Sequence, residues 1–379
     1  MKLLIVIKNI DGGTGTYLLQ LLKLHKYFTK EPLEIKTIVL EQPSYRNIGK
    51  KDFIYIHKDK YYPQKYSLMP KNLSTFVQEI FPIREHIQTY KPDVVLGVDI
   101  HCNLLILLSL LKVNMKKPIV ILTTHINLSE NIFARAKLPL SIVLKHVIKY
   151  MYNQADCIVC VSQKVMKDLV ENLGVNSSQI KVIYNGIVPL KTSTRLKVKN
   201  KRFIMIGRHA EQKDFTTLLY AMKRVVESEP DAELSLLSDG PQKNEIQNLI
   251  KKLQLTNNVR LIGWVRSIDS YLKQSDIFVF SSKREGFGYV LIEAMRYALP
   301  VITTNTPYGP AEIVDNGKYG ILVPMQDPIA LSNAMLSLLT DNKMYYHYSQ
   351  QSQKRVHFFS EDKMLRQYKE LLETIIKKQ

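Results

Sequence analysis

The segment Asp276-Ile277-Phe278-Val279-Phe280-Ser281-Ser282 leads, two residues on, into Glu285-Gly286-Phe287-Gly288-Tyr289-Val290-Leu291-Ile292-Glu293. Its first half is an apolar run ending in small polar residues, which reads as a buried strand emptying into a loop. Beyond the loop, Val290, Leu291, Ala294, Met295 and Ala298 recur at helical spacing until Pro300. Glu285 is therefore expected on the loop and Glu293 about two turns further on, in the helix. Gly286 and Gly288 let a ligand approach the backbone, and a helix start offers N–H groups to an anion. A strand, a glycine loop and an acid at each end suit an anionic ligand that also carries hydroxyls.

The same strand–loop–helix grammar recurs elsewhere. Phe203-Ile204-Met205-Ile206 runs into Gly207-Arg208, with Lys213 five residues past the arginine. Arginine offers phosphate a planar fork and lysine a compact point charge. Near the N-terminus, Leu3–Ile7 is followed by Asp11-Gly12-Gly13-Thr14-Gly15-Thr16 and an apolar helix expected from Tyr17 to about Leu24. A dinucleotide fingerprint would need a third glycine where Leu18 stands. His125 closes the run Ile119–Thr124, while Asp99 and His101 follow Val94–Val98. Taken singly, each has a plainer counterpart: a glycine turn, a core histidine, two solvated bases.

Together these elements resemble the carboxylate signature of the retaining family 4 glycosyltransferases, whose GT-B fold sets two Rossmann-like domains about a central cleft. The resemblance covers nearly the whole chain and is closest over residues 200–325. It implies that Glu285 lies by the donor sugar, that Glu293 holds the ribose, and that Arg208 and Lys213 bind the donor phosphates. The amides of Gly286, Phe287, Gly288, Tyr289 and Val290, with Gly12, Gly13, Gly207 and Gly240, complete the implied donor site. His125 is implied near the reacting sugar, and Asp99 and His101 are read as lining the acceptor side. The sequence departs from the family at Asp214 and at Ser238, where glycine is usual. Gly309-Pro310-Ala311-Glu312 resembles a variant segment common among enzymes of bacterial surface polysaccharide synthesis.

The rest of the chain fits that frame. Its 379 residues suffice for two domains. Strand-like and helical runs alternate throughout, arguing for two doubly wound parallel sheets. The expected division is 1–187 as an acceptor-binding domain, 188–200 as a polar linker, 201–360 as a nucleotide-sugar domain, and 361–379 as a helix crossing back to the first domain. Cys157 and Cys160 form a CxxC inside an apolar run, so their sulfurs should face opposite ways and act as buried filler. With no Asp-x-Asp after a strand, no metal or other cofactor is expected.

The net charge of +19 is open to three explanations: nucleic acid, an anionic bilayer, or nucleotide and phosphate ligands. No nucleic-acid-binding module is recognisable, so nucleic acid is not expected. Asn131–Tyr152 mixes Phe133, Ile142, Val143, Leu144, Val147 and Ile148 with Arg135, Lys137, Lys145, His146 and Lys149. Such a helix suits peripheral contact with an anionic membrane, although a helix packing on its own sheet reads similarly. The longest apolar runs are too short to span a bilayer and no signal pattern is present, so the expected location is cytoplasmic, on the inner face of the cell membrane. The implied activity is transfer of a hexose or N-acetylhexosamine from a nucleotide sugar, expected to be a UDP-sugar, to a glycan or polyprenyl-linked acceptor. A non-catalytic nucleotide-sugar scaffold and a GT-B epimerase are the rival readings.

Overall fold

A computed structural model describes residues 1–10, 12–41, 53–57, 73–111, 115–133, 138–191 and 194–378. The chain packs as two compact units. Residues 1–186 and 361–379 form the first and residues 187–360 the second.

Unit 1 is built on a sheet of seven strands: β1 (Lys2–Ile7), β2 (Glu34–Glu41), β3 (Phe53–His57), β4 (Val94–Val98), β5 (Ile119–Thr124), β6 (Cys157–Cys160) and β7 (Ile180–Val182). All pair in parallel in the order β3-β2-β1-β4-β5-β6-β7. Strands buried on both faces need continuous apolar runs, and Leu3–Ile7 is fully buried from end to end. Among the described residues, the α-helices between them are α1 (Gly12–Leu21), α2 (Leu73–Tyr90), α3 (Asp99–Ser109), α4 (Leu128–Phe133), α5 (Leu138–Tyr152) and α6 (Gln163–Lys167). Cys160 belongs to the core on one sheet face and Cys157 to the core on the other, as a strand's alternation requires, and both are free thiols.

Unit 2 carries six parallel strands: β8 (Arg202–Ile206), β9 (Glu233–Leu237), β10 (Val259–Gly263), β11 (Ile277–Phe280), β12 (Val301–Thr304) and β13 (Ile321–Val323). Their order is β10-β9-β8-β11-β12-β13. The helices are α7 (Phe215–Ser228), α8 (Lys243–Lys252), α9 (Asp269–Gln274), α10 (Tyr289–Met295), α11 (Pro310–Ile313), α12 (Pro328–Thr340) and α13 (Asn342–Phe358). The last helix, α14 (Glu361–Ile376), belongs to unit 1, where Met364, Leu365, Tyr368 and Leu372 enter the core beneath α1.

Strand order reverses between β1 and β4 in unit 1 and between β8 and β11 in unit 2. In open parallel sheets, the loops leaving the carboxyl ends at such a reversal diverge and leave a crevice for ligands. The glycine, arginine and glutamate motifs all lie on loops of this kind.

Three local expectations need correction. The N-terminal helix starts at Gly12 rather than Tyr17, so Gly12 and Gly13 form its first turn; Asp11 lies outside the described residues. The helix after β11 ends at Met295, short of Pro300, and the chain then turns through Ala298 at φ 57°. The polar stretch 188–200 is no loose linker, leaving aside 192–193, which lie outside the described residues. Arg195 donates to the carbonyls of Leu272, Lys273, Ser275 and Tyr297. The amides of Lys199, Asn200 and Arg202 all donate to the Asp276 carboxylate. A multivalent guanidinium and a carboxylate tie this segment down without apolar periodicity.

Candidate active site

In unit 2, β8 ends at Gly207-Arg208 and the chain enters a single 3₁₀ turn, Glu211–Lys213, before Asp214 caps α7. Two hydrogen bonds fasten this turn to the loop after β11: Lys283 N donates to Gln212 O at 2.8 Å, and Gln212 Nε2 donates to Arg284 O at 2.7 Å. Ser281 Oγ meets the carbonyls of Lys213 and Asp214 at 2.9 and 3.1 Å. The two loops at the sheet's reversal are thus joined. Across the join Lys213 Nζ donates to Glu285 Oε1, with both side chains at least 85% buried. Lys213 Nζ also lies 4.6 Å from the centre of the Phe280 ring. A Cβ on Gly207 would stand 3.1 Å from the lysine stem, so a side chain there would require the stem to shift by a few tenths of an ångström.

Both departures from the family's glycines have a conformational explanation. Asp214 is left-handed at φ 49°, ψ 54°, and its carboxylate accepts from Thr217 N at 3.3 Å and Thr217 Oγ1 at 2.7 Å. Aspartate tolerates that region better than most residues and adds a cap that glycine lacks. Ser238 sits at φ 102°, a costlier position for a residue with a Cβ. Gly240, next but one, presses on the His209 backbone, where a Cβ would be 2.5 Å from the carbonyl oxygen.

The loop 285–288 is held from below. Phe287 is 4% exposed and packs edge-on against Phe359, ring centres 5.5 Å apart. Of the residues assigned to the donor, Phe287 can therefore offer only its backbone. Gly309, at φ 74°, approaches so closely that a Cβ would be 2.4 Å from Phe287 O. Arg355 stacks on Phe359 and donates to the carbonyls of Glu312 and Ile313 at 2.7 Å each, fixing the segment after Gly309. Gly286 and Gly288 are buried, whereas Tyr289, Val290 and Glu293 stand half-buried on α10. Arg208 stands half-buried beside Gly207. Structure thus gathers Gly207, Arg208, Lys213, Gly240 and 285–293 at one edge of the unit 2 sheet.

In unit 1, open space surrounds the positions a Cβ would take on Gly12 and Gly13, while one on Gly15 would strike the Ile10 carbonyl. Gly15 is thus a packing glycine. His125 leaves β5 with its ring 4.5 Å from that of Tyr17, whose hydroxyl is bonded to Tyr368. Its Nε2 lies 3.1 Å from Thr123 Oγ1, which gives its own proton to Gly97 O at 2.9 Å. The hydroxyl must therefore accept from Nε2–H, leaving Nδ1 as an acceptor. Burial lowers the His125 pKa to about 4, so the ring is neutral near pH 7.

Asp99 and His101 part company. The Asp99 carboxylate accepts from the amides of His101 and Cys102 at 2.9 and 3.3 Å, and burial raises its pKa. His101 turns inward: Nε2 is 2.8 Å from Glu79 Oε2, and Phe76 meets its ring. It fastens α2 to α3, which corrects the expectation that its side chain lines an acceptor site. Trp264, the only tryptophan in the sequence, is exposed at the carboxyl end of β10, where Gly263 O accepts from Ser238 N.

Comparison with known proteins decides the family. The model for Glycosyltransferase Family 4 matches residues 12–189, and that for glycosyl transferases group 1 matches residues 189–355. The chain belongs to the family 4 glycosyltransferases of GT-B fold. A glycosyltransferase of Methanocaldococcus jannaschii, itself uncharacterized, is 32% identical to this family 4 chain over 268 residues, covering 60% of the chain and 66% of the relative. The N-acetylgalactosamine-N,N'-diacetylbacillosaminyl-diphospho-undecaprenol 4-alpha-N-acetylgalactosaminyltransferase of Campylobacter jejuni is 28% identical, covering 60% and 62%. The alignments thus span just under two thirds of these relatives' lengths. Among solved structures, Anabaena HepE in complex with UDP and glucose matches the family 4 fold with a TM-score of 0.78, at 17% identity, over 98% of this chain and 99% of the other.

Proposed function

We propose that the chain transfers a hexose or N-acetylhexosamine from a UDP-sugar to a hydroxyl of a glycan or polyprenyl-linked acceptor in bacterial surface polysaccharide synthesis, with retention at the anomeric carbon. The observation that carries this reading is the Lys213–Glu285 pair at the reversal of strand order, with Arg208 beside it. A cation and a carboxylate held together supply what a glycosyl diphosphate needs at its two reacting ends.

The bond from the anomeric carbon to the diphosphate oxygen breaks and its electron pair leaves with the diphosphate. Lys213 and Arg208 stabilise that developing charge, with the amides of the 286–289 loop and no metal in this reading. Glu285 holds the sugar hydroxyls, and its charge favours the oxocarbenium-like state. The acceptor oxygen bonds on the face the diphosphate leaves, and its proton passes to the departing phosphate oxygen. Glu293 binds the ribose. In unit 1, His125 accepts a hydrogen bond from a substrate hydroxyl through Nδ1. The acceptor is presented at an anionic membrane surface on the cytoplasmic side. Support for the lipid acceptor comes from the Campylobacter relative, whose name carries a diphospho-undecaprenol substrate.

The test is UDP release from a panel of UDP-sugars, with and without bacterial membrane lipid extract, followed by mass spectrometry of the lipids. Release stimulated by the extract, with one hexose or N-acetylhexosamine added, is the expected result. A changed sugar released without acceptor would point to an epimerase, and binding without turnover to a scaffold; either overturns the reading.

A further inference from the structure

The C-terminal helix reaches the half-buried His125 through two tyrosines. α14 is fastened at its start to the chain that follows α1. Lys23 Nζ donates to both Glu361 carboxylate oxygens at 2.8 Å, and Tyr27 OH donates to Asp362 Oδ1 at 2.9 Å. About two turns on from that anchor stands Tyr368, fully buried, its hydroxyl bonded to that of Tyr17 on α1. Tyr17 is fully buried too, and its ring meets the His125 ring edge-on at an interplanar angle of 70°.

His125 has a second tether in the 3.1 Å contact from Nε2 to Thr123 Oγ1. One hydrogen bond at one end of a ring leaves the ring free to turn about it. The Tyr17 ring, set against the imidazole, removes that freedom. Thr123 joins the two tethers: burial raises the Tyr17 pKa, and the hydroxyls of Tyr368 and Thr123 pull it partly back. All these groups belong to unit 1.

Packing alone does not call for the two phenols. A pair of phenylalanines would fill the same volume, and exchanging both partners of a buried hydrogen bond for apolar groups of the same shape costs little stability. What phenylalanines would lack is direction, because apolar contact has none. A bond between hydroxyls pins the far end of the Tyr17 ring, and with it the surface on which His125 rests.

We propose that Tyr368 is a positioning residue for sugar transfer: through Tyr17 it holds the His125 ring so that Nδ1 stays turned to the substrate hydroxyl. The last helix thus contributes to the reaction as well as to the core of unit 1. This rests on the role given to His125 above, but the set of the ring can be measured without turnover.

The experiment compares Y368F and Y17F/Y368F with the wild type by thermal melting, UDP titration, steady-state kinetics and the ring-nitrogen resonances of His125. Both variants should melt within a few degrees of the wild type and bind UDP equally well. Their kcat should fall about tenfold while KM for the donor barely moves. Wild-type nitrogen shifts should report one neutral tautomer, protonated on Nε2, and those of Y17F/Y368F should move toward the average of the two tautomers. Y368F alone carries the same test if the double variant does not fold. Y220F, an exposed tyrosine of unit 2, should change nothing. Wild-type kcat with unmoved shifts would overturn the proposal. So would a fall in kcat that tracks lost stability while the shifts stay put, since the pair would then serve the fold alone. Shifts that move while turnover holds would leave the tyrosines holding the ring and remove His125 from the reaction, which is a failure of the functional reading instead.

Discussion

Lys213 and Glu285, 72 positions apart in the chain, meet as an ion pair where the strand order of the second sheet reverses. Neither motif alone requires the meeting. It follows from β8 and β11 being neighbours, which places the loops after them side by side. With the pair mostly buried, each charge needs the other until a ligand arrives. In the proposed mechanism a diphosphate takes over Lys213 and frees Glu285 for sugar hydroxyls.

His125 should titrate at about pH 4, against an ordinary value of 6.5. Its folded form resists protonation, so the unfolded chain binds more protons between those values. His125 therefore favours the folded state fully above pH 6.5, and that contribution is lost as pH falls toward 4. Chemical denaturation at pH 7 and pH 5 checks the sign: H125F should lose less stability between the two than the wild type. Imidazole resonances give the pKa directly, and a midpoint near 6.5 would contradict the packing against Tyr17.

Gly309→Ala should disturb the donor loop from outside it. The new Cβ meets the Phe287 backbone, and φ 74° is unfavourable for alanine. Steady-state kinetics should show kcat/KM for the donor falling on the order of a hundredfold. An unchanged value would mean that the 286–288 backbone does not touch the donor.

Ser238→Gly should raise stability by about 1 kcal/mol, because it relieves a φ of 102° at a residue with a Cβ. Asp214→Gly should be worse tolerated, since it trades left-handed strain for the loss of the Thr217 cap. Thermal unfolding of the two variants side by side measures the difference.

Apart from β3 (Phe53–His57), which the sequence reading did not find, the strands and motif loops were legible because a doubly covered parallel strand is apolar throughout, as in Leu3–Ile7, and its loop begins where small polar residues take over. Helix α2 was not legible, because Pro82 lies inside it and argues locally against a helix. α13 was missed for another reason: its sequence from Asn342 is mostly polar and only Tyr345, Ser349, Ser352 and Val356 are buried, a stripe too thin to stand out. Candidate residues were found where a strand preceded them. What local spacing could not supply was direction: His101 points into the α2–α3 contact and Phe287 into the core, and only tertiary packing sets that.

In the proposed mechanism Arg208 and Lys213 grip the diphosphate while Glu285 serves the sugar. Calorimetric titration of UDP into the wild type, R208M, K213M and E285Q, beside sugar turnover in each, separates these roles. R208M and K213M should weaken UDP binding at least about tenfold. E285Q should bind UDP within a few-fold of wild type yet lose about 10²–10³ in turnover. UDP affinity untouched in K213M, or turnover near wild type in E285Q, would contradict the account.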